Sequence, residues 1–262
     1  MLVCAINGSH RGSRGATHRL LERMGAGVRG AGGTWDPVQL AELRIEPCRA
    51  CNQCQRSGSF QCIYEDKDQV RQVFERLAAA DIVVYASPIY VLGLSSLLRR
   101  FMERFYSLAP IQGLRLTESG LFFHAVDRAI CGKPFVSLLV CDNLEDLTVR
   151  NARDGFRILS RFLDAPQVGH LERRSAAAWT KALQGDDPAE KQRAEAILES
   201  FETAGRDLVT QGRIRPSTAR AAGQPFVQVP ALVRLARHLP FLRPRIAQEI
   251  QRRAGTSTMG PD

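Results

Sequence analysis

The chain has 262 residues, 44% apolar and 24% charged, with a formal net charge of +9. That length can bury one large α/β core, or a domain of about 200 residues with an appendage, and no run of 18 or more apolar residues offers a membrane-spanning helix. The first residues lack a charged segment ahead of a long apolar block, so no secretory leader is expected, and the seven cysteines are expected in a reducing cytoplasm as free thiols or metal ligands.

Taken in chain order, the run LVCAI (Leu2–Ile6) is short, unbroken and closed by Asn7-Gly8, the pattern of a buried parallel strand. A loop rich in Gly, Ser and Arg leads into a helix with Leu20, Leu21, Met24 and Val28 on one face. Thr34–Leu40 reads as an edge strand, and a cysteine-rich loop at 48–62 follows it. Asp66 or Asp68 is placed to cap a helix carrying Val70, Val73, Phe74 and Leu77 at helical spacing. Asp81–Pro88 is a β-branched strand ended by proline; Leu97, Leu98, Phe101, Met102 and Phe105 mark the next amphipathic helix. Lys133–Asp142 is a third buried strand, Leu147–Phe162 a helix, Ala165–Glu172 the last strand and Asp187–Gln211 a long helix.

Strands alternate with helices and no hairpin dipeptide joins two strands, which predicts an α/β fold: a doubly wound, five-stranded parallel sheet in the order 2-1-3-4-5. In such sheets ligands sit at the carboxyl ends of the strands where the order reverses, here the loops after Ile6, Tyr85 and Val140. These residues form a domain over 1–212. Beyond Gly212, RIRPSTARAAGQP reads as a linker, two helical pieces are broken around Pro240 and Pro244, and the last nine residues read as a frayed end. Residues 213–253 hold nine arginines against one acid, Glu249, so 213–262 is a basic helical extension on a nearly neutral body. That pattern suits an arm lying on a partner subunit; a membrane surface and an acidic redox partner are the other candidate surfaces.

The first loop, NGSHRGSRGAT (Asn7–Thr17), bares backbone N–H groups at a helix start, where phosphate binds; Ser9 and Thr17 add hydroxyls and Arg11 a guanidinium. It is neither a G-x-G-x-x-G fingerprint nor a Walker loop. The second, ASPIYVLG (Ala86–Gly93), is an apolar, aromatic turn after Ser87-Pro88, where Ile89, Tyr90 and Val91 offer N–H groups to the edge of a flat ring. The cysteine run CRACNQCQRSGSFQC places Cys48, Cys51, Cys54 and Cys62 at C-x2-C-x2-C-x7-C. Three thiols on one tight segment and a fourth from a returning loop suit a [4Fe–4S] cluster. Structural zinc favours two separate C-x2-C knuckles; unligated thiols and a disulfide are the remaining readings. Cys4, Cys131 and Cys141 read as packing residues, and His10, His18, His124, His170 and His238 show no metal spacing.

NGSHRG…T, PCRACNQC…C and ASPIYVLGLSSLLRRFMER, in this order, resemble the flavodoxin-like NAD(P)H-dependent FMN reductases, and within them the iron–sulfur flavoproteins, over about residues 1–210. The resemblance implies FMN phosphate on Ser9, Arg11, Ala16 and Thr17, and the isoalloxazine against Pro88, Ile89, Tyr90 and Val91. The third loop, VCDNLED, departs from the family's glycines; there the resemblance points to Asp142 and Asn143 beside the ring or ribityl chain. It also implies NAD(P)H as co-substrate, a small acceptor (quinone, flavin or electrophilic organic molecule) and a homo-oligomer, dimer or tetramer. The alternative is a non-enzymatic electron carrier serving a ferredoxin-like partner. A zinc-stapled nucleic-acid binder has no use for the turn SPIY, so no nucleic acid is expected as partner.

Overall fold

The computed structural model describes residues 1–56, 61–109, 113–230, 233, 236 and 238–248. Its elements begin β1 (Leu2–Asn7), α1 (Ala16–Gly30), β2 (Thr34–Gln39), the short α2 (Gln53–Arg56), α3 (Val70–Ala79), β3 (Ile82–Tyr90), β4 (Gly93–Leu94) and α4 (Ser96–Glu103). They continue with β5 (Leu114–Leu116), β6 (Phe122–His124), α5 (Arg128–Cys131), β7 (Phe135–Val140), α6 (Leu147–Leu163), β8 (Gln167–Arg173), α7 (Ala176–Gln184), α8 (Pro188–Gln211) and α9 (Pro216–Ala222).

The main sheet runs β2-β1-β3-β7-β8, all parallel, which is the expected 2-1-3-4-5 order. Alternate residues of its strands face opposite layers. Val3, Ala5, Val84, Ala86, Val136 and Leu138 pack under α1, α7 and α8 with Met24, Trp179 and Phe201. Cys4, Ile6, Val83, Tyr85 and Leu139 pack under α3, α4 and α6 with Phe74, Phe101 and Phe156. A strand with both faces covered needs no polar alternation, which is why β1, β3 and β7 read as unbroken apolar runs.

On the first layer α1 and α8 meet backbone to backbone. A Cβ on Gly27 would stand 1.9 Å from the Glu202 carbonyl oxygen, and one on Gly205 2.0 Å from that of Met24. The two glycines are therefore a steric requirement of this crossing.

Several features differ from the sequence expectation. β4 folds back antiparallel on β3, and β5 and β6 form a separate antiparallel ribbon whose turn places Gly120 at φ 74. Asp68 does bond the N–H of Val70 (3.2 Å), but from one residue ahead of the N-cap Gln69. The segment expected as a linker after Gly212 is folded: Ile214 N–H bonds the Val168 carbonyl, α9 follows, and the compact unit runs Met1–Phe226. Fully buried Arg173 donates to the carbonyls of Arg174, Ala222 and Gln224. Buried Asp207 accepts from the N–H and Nε of Arg215 and from the Thr218 hydroxyl. A second unit covers 227–262; in it Pro244 lies in the first turn of a helix at 243–248 rather than breaking one, a position where its missing N–H has no intrahelical partner to lose. Residues 254–262, expected to fray, and Arg234, Arg237, Arg252 and Arg253 lie outside the described residues. Among the described residues no helix is long and apolar enough to cross a membrane.

Candidate cofactor site and cysteine cavity

The carboxyl ends of β1 and β3 are adjacent, and their loops are sewn together. Gly8 N–H donates to the Ala86 carbonyl (2.8 Å), and the Ser95 hydroxyl donates to the Gly8 carbonyl (2.6 Å). Ser95 N–H donates to the Ser87 hydroxyl (2.9 Å), which in turn donates to the Pro88 carbonyl (2.7 Å). Ser95 also N-caps α4 by accepting from Leu98 N–H. A side chain on Gly8 would stand 2.7 Å from Leu98 Cβ, so glycine is what lets α4 approach the loop.

Asn7 shapes the first loop from inside. Its carbonyl oxygen accepts from Ser9 N–H (3.0 Å), and its amide donates to Gln39 (2.7 Å) and the Gly12 carbonyl (3.4 Å). The Ser9 hydroxyl accepts from Arg11 N–H, which leaves its own proton to donate outward. Ser9 and Thr17 are buried and Arg11 is exposed. The N-cap of α1 is Gly15, with no side-chain cap and no acid in the first turn. The N–H groups of Ala16, Thr17 and His18 thus open a helix N-terminus with positive dipole and no resident carboxylate. A Cβ on Gly15 would stand 2.9 Å from Ser9 Oγ, so the glycine keeps this cradle clear.

Past the buried Pro88 and Ile89, the chain reverses through Val91 (φ 48) and Leu92 (φ 63), with Tyr90 opposite Gly93. Two left-handed central residues form the tight hairpin turn that normally takes Asn-Gly, and a β-branched residue there is strained. Val91 is fully exposed. Val91 and Leu92 thus hold backbone strain on an exposed apolar tip. His10 bridges the loops, its Nε2 2.8 Å from the Ser96 hydroxyl and its ring beside Tyr90.

The third loop is spent on its own structure. Asp142 accepts from Ala177 N–H (2.6 Å) at the start of α7, and the Asn143 side chain accepts from Glu145 N–H (2.9 Å). Sequence reasoning missed the roles of Asn7, Ser87 and Ser95.

The four cysteines come together. Cys48, Cys51, Cys54 and Cys62 line one small cavity of about 20 Å³, beside Asn52, Tyr64, Arg104 and Tyr106. Ala50 (φ 49) and Asn52 (φ 59) are left-handed, and they coil the segment so that its thiols share that space. The loop is tied to the segment after α4: Tyr106 donates to Asn52 (2.8 Å), and the Gln55 amide donates to the Ala109 carbonyl (3.1 Å). Burial first, then the thiols of Cys62, Cys48 and Cys51, push the Cys54 thiol up. All four are free thiols, and among the described residues no three His, Cys, Asp or Glu side chains are arranged to hold a single ion. Part of the expected returning loop, 57–60, lies outside the described residues. Cys4 and Cys131 are buried packing residues; burial, with the carboxylates Asp36 and Asp127 respectively, pushes each thiol up to about 12.

Residues 1–128 match the model of the family described as NADPH-dependent FMN reductase. An iron–sulfur flavoprotein of Methanocaldococcus jannaschii is 30% identical over 104 residues, 40% of this chain and 51% of that protein. The alignment thus spans about half the length of the curated relative. An NAD(P)H:quinone oxidoreductase from Methanothermobacter marburgensis superposes with a TM-score of 0.55 at 18% identity, covering 79% of this chain and 98% of that one. An FMN-dependent NADH-azoreductase from Bacillus anthracis, solved with FMN, gives 0.55 at 12% identity over 80% and 98%. At such identities the two structures speak for a shared fold. Residues 1–128 are thus similar to the NADPH-dependent FMN reductase family, and iron–sulfur flavoproteins are among the curated relatives the chain resembles.

Proposed function

We propose that the chain is an FMN-dependent oxidoreductase that moves electrons between NAD(P)H, or an iron–sulfur cluster, and a small acceptor such as a quinone, a free flavin or an electrophilic organic molecule. The observation that carries this reading is the uncapped, acid-free start of α1, sewn through Gly8 and Ser95 to a strained apolar turn. One end suits a phosphate and the other a flat ring. Bound FMN would supply the two-electron chemistry, and a bound [4Fe–4S] cluster single-electron transfer.

The chain's own residues bind and orient. Ser9, Thr17 and the N–H groups of Ala16 and Thr17 would hold the phosphate, with Arg11 as counter-charge. Pro88, Ile89, Tyr90 and Val91 would flank the ring, with the N–H groups of the turn at its polar edge. Asp142 and Asn143 would line that region through backbone only, since their side chains are engaged elsewhere. Cys48, Cys51, Cys54 and Cys62 would hold the cluster: their common cavity and their C-x2-C-x2-C-x7-C spacing support this. Cysteines that would serve as cluster ligands or stay reduced suit a reducing, cytoplasmic setting. The exposed Tyr90, Val91 and Leu92 tip supports burial against another subunit, hence a dimer or tetramer.

The test is the visible spectrum of anaerobically purified protein. We expect flavin bands at roughly 450 nm and a brown shoulder that dithionite bleaches. Cys54→Ser should remove the shoulder and spare the flavin. A colourless preparation that takes up no added FMN would refute the reading. Steady-state oxidation of NAD(P)H separates an enzyme from a ferredoxin-linked carrier, which shows almost none.

A further inference from the structure

Arg104, in the turn following α4, is 3% exposed and lines the cavity of the four cysteines. Its Nη1 donates to the carboxylate of Asp68, itself fully buried, and to the Glu46 carbonyl (3.1 Å); its guanidinium lies 5.6 Å from the Tyr64 ring centroid. Its Nε–H is buried without a hydrogen-bond partner.

Closing the neck of the cysteine loop does not require this ion pair. Asp68 already accepts from Glu46 N–H (3.0 Å) and from Val70 N–H (3.2 Å), which joins the two flanks of the loop without the arginine. A buried ion pair is also weak as a stabilising device, because desolvation offsets most of its attraction. A cation kept there with one N–H unspent requires another explanation, and the four thiols are its neighbours. Arg49, the other arginine lining the cavity, is exposed, so among the described lining residues Arg104 is the buried cation.

We propose that Arg104 is the positively charged wall of the four-cysteine site, donating its free Nε–H toward the sulfur ligands and raising the reduction potential of the cluster held there. The inference rests on the cluster reading above. Four thiolates give the site a net negative charge, and one-electron reduction adds another. Asp68 engages Nη1 of Arg104, and the Nε–H is what remains uncommitted. Hydrogen bonds to the sulfurs and nearby charge are the levers by which a protein sets such a potential, and a low-dielectric wall strengthens both.

The test uses anaerobically purified full-length protein, with iron and sulfide analysis, circular dichroism, and an EPR-monitored dithionite titration of the cluster. Arg104→Lys keeps a charge for Asp68 and removes the Nε–H. We expect an intact fold, unchanged iron content, a lower cluster midpoint and an unmoved flavin midpoint. The pair Arg104→Gln with Asp68→Asn leaves no buried charge unpaired and should shift the midpoint in the same direction. A loaded cluster with a wild-type midpoint in both variants overturns the role of Arg104 while leaving the cluster reading standing. Wild-type protein without iron, sulfide or brown absorbance sinks the cluster reading and this one with it. Folded variants that hold no iron would make Arg104 a residue for assembling the site, and would overturn its role in the potential.

Discussion

At the residue scale, the side chains that matter are those whose polar atoms have few alternatives. Thr17 is buried at the open end of α1, and the proposed phosphate contact is the interaction its hydroxyl serves. Thr17→Ala is expected to weaken FMN binding by about 1.5–3 kcal/mol, roughly tenfold to a hundredfold, read by flavin fluorescence titration. Asp142→Ala should behave differently: its carboxylate is committed to Ala177 N–H, so the loss is about 1 kcal/mol of stability with FMN affinity kept. Glu172 gives a pH handle. Burial opposes its charge, but hydrogen bonds from His170 and Arg153 prevail and hold its carboxyl down at about 2, against an ordinary 4.5. A depressed carboxyl stabilises the fold above its unfolded value and loses that contribution as pH falls toward the folded one. Stability is therefore expected to drop between about pH 4.5 and 2 by at most about 3 kcal/mol through this group. Urea midpoints of Glu172→Gln should show a shallower acid limb than wild type, and identical limbs would contradict the assignment.

At the element scale, the β-strands and long helices were legible because their periodicity is carried by core residues: Leu20, Met24 and Val28 on α1, and Val70, Val73 and Leu77 on α3. The ribbon β5–β6 was not, because three-residue strands are too short to show a period. α9 is hidden for a different reason: Pro216 at its first turn and Gly223 at its end are a start and a stop, but the polar residues between them mask its buried Thr218 and Ala222. In the candidate site, the two loops and the cysteine run were readable from residue types. The serines and Asn7 that sew the loops together were not, since pairing across the sheet is set by topology. The α1–α8 crossing is the element most open to a steric test. Gly205→Ala must force the two backbones apart, so we expect it to cost at least about 1–3 kcal/mol and to lower the thermal midpoint by several degrees. A mutant melting like wild type would show that the helices do not meet at these glycines.

At the scale of the whole molecule, the end of the first unit is fixed by charge. Truncation after Phe226 keeps every partner of Arg173 and Asp207 and should leave a cooperatively melting protein with wild-type far-ultraviolet circular dichroism. Truncation after Gly212 removes Ala222, Gln224, Arg215 and Thr218, stranding a buried guanidinium and a buried carboxylate, and should yield aggregated material. Soluble, cooperative 1–212 protein would refute this. α4 has a consequence of a different kind. It is capped by Ser95, which bonds the loop after β1, and leads into Arg104 at the cysteine cavity. Eight residues at 1.5 Å each make a strut of about 12 Å. The spacing of the two proposed redox centres within one chain would then follow covalent geometry, and one inserted residue, which lengthens the strut and swings its far end by about a quarter turn, is expected to disturb both.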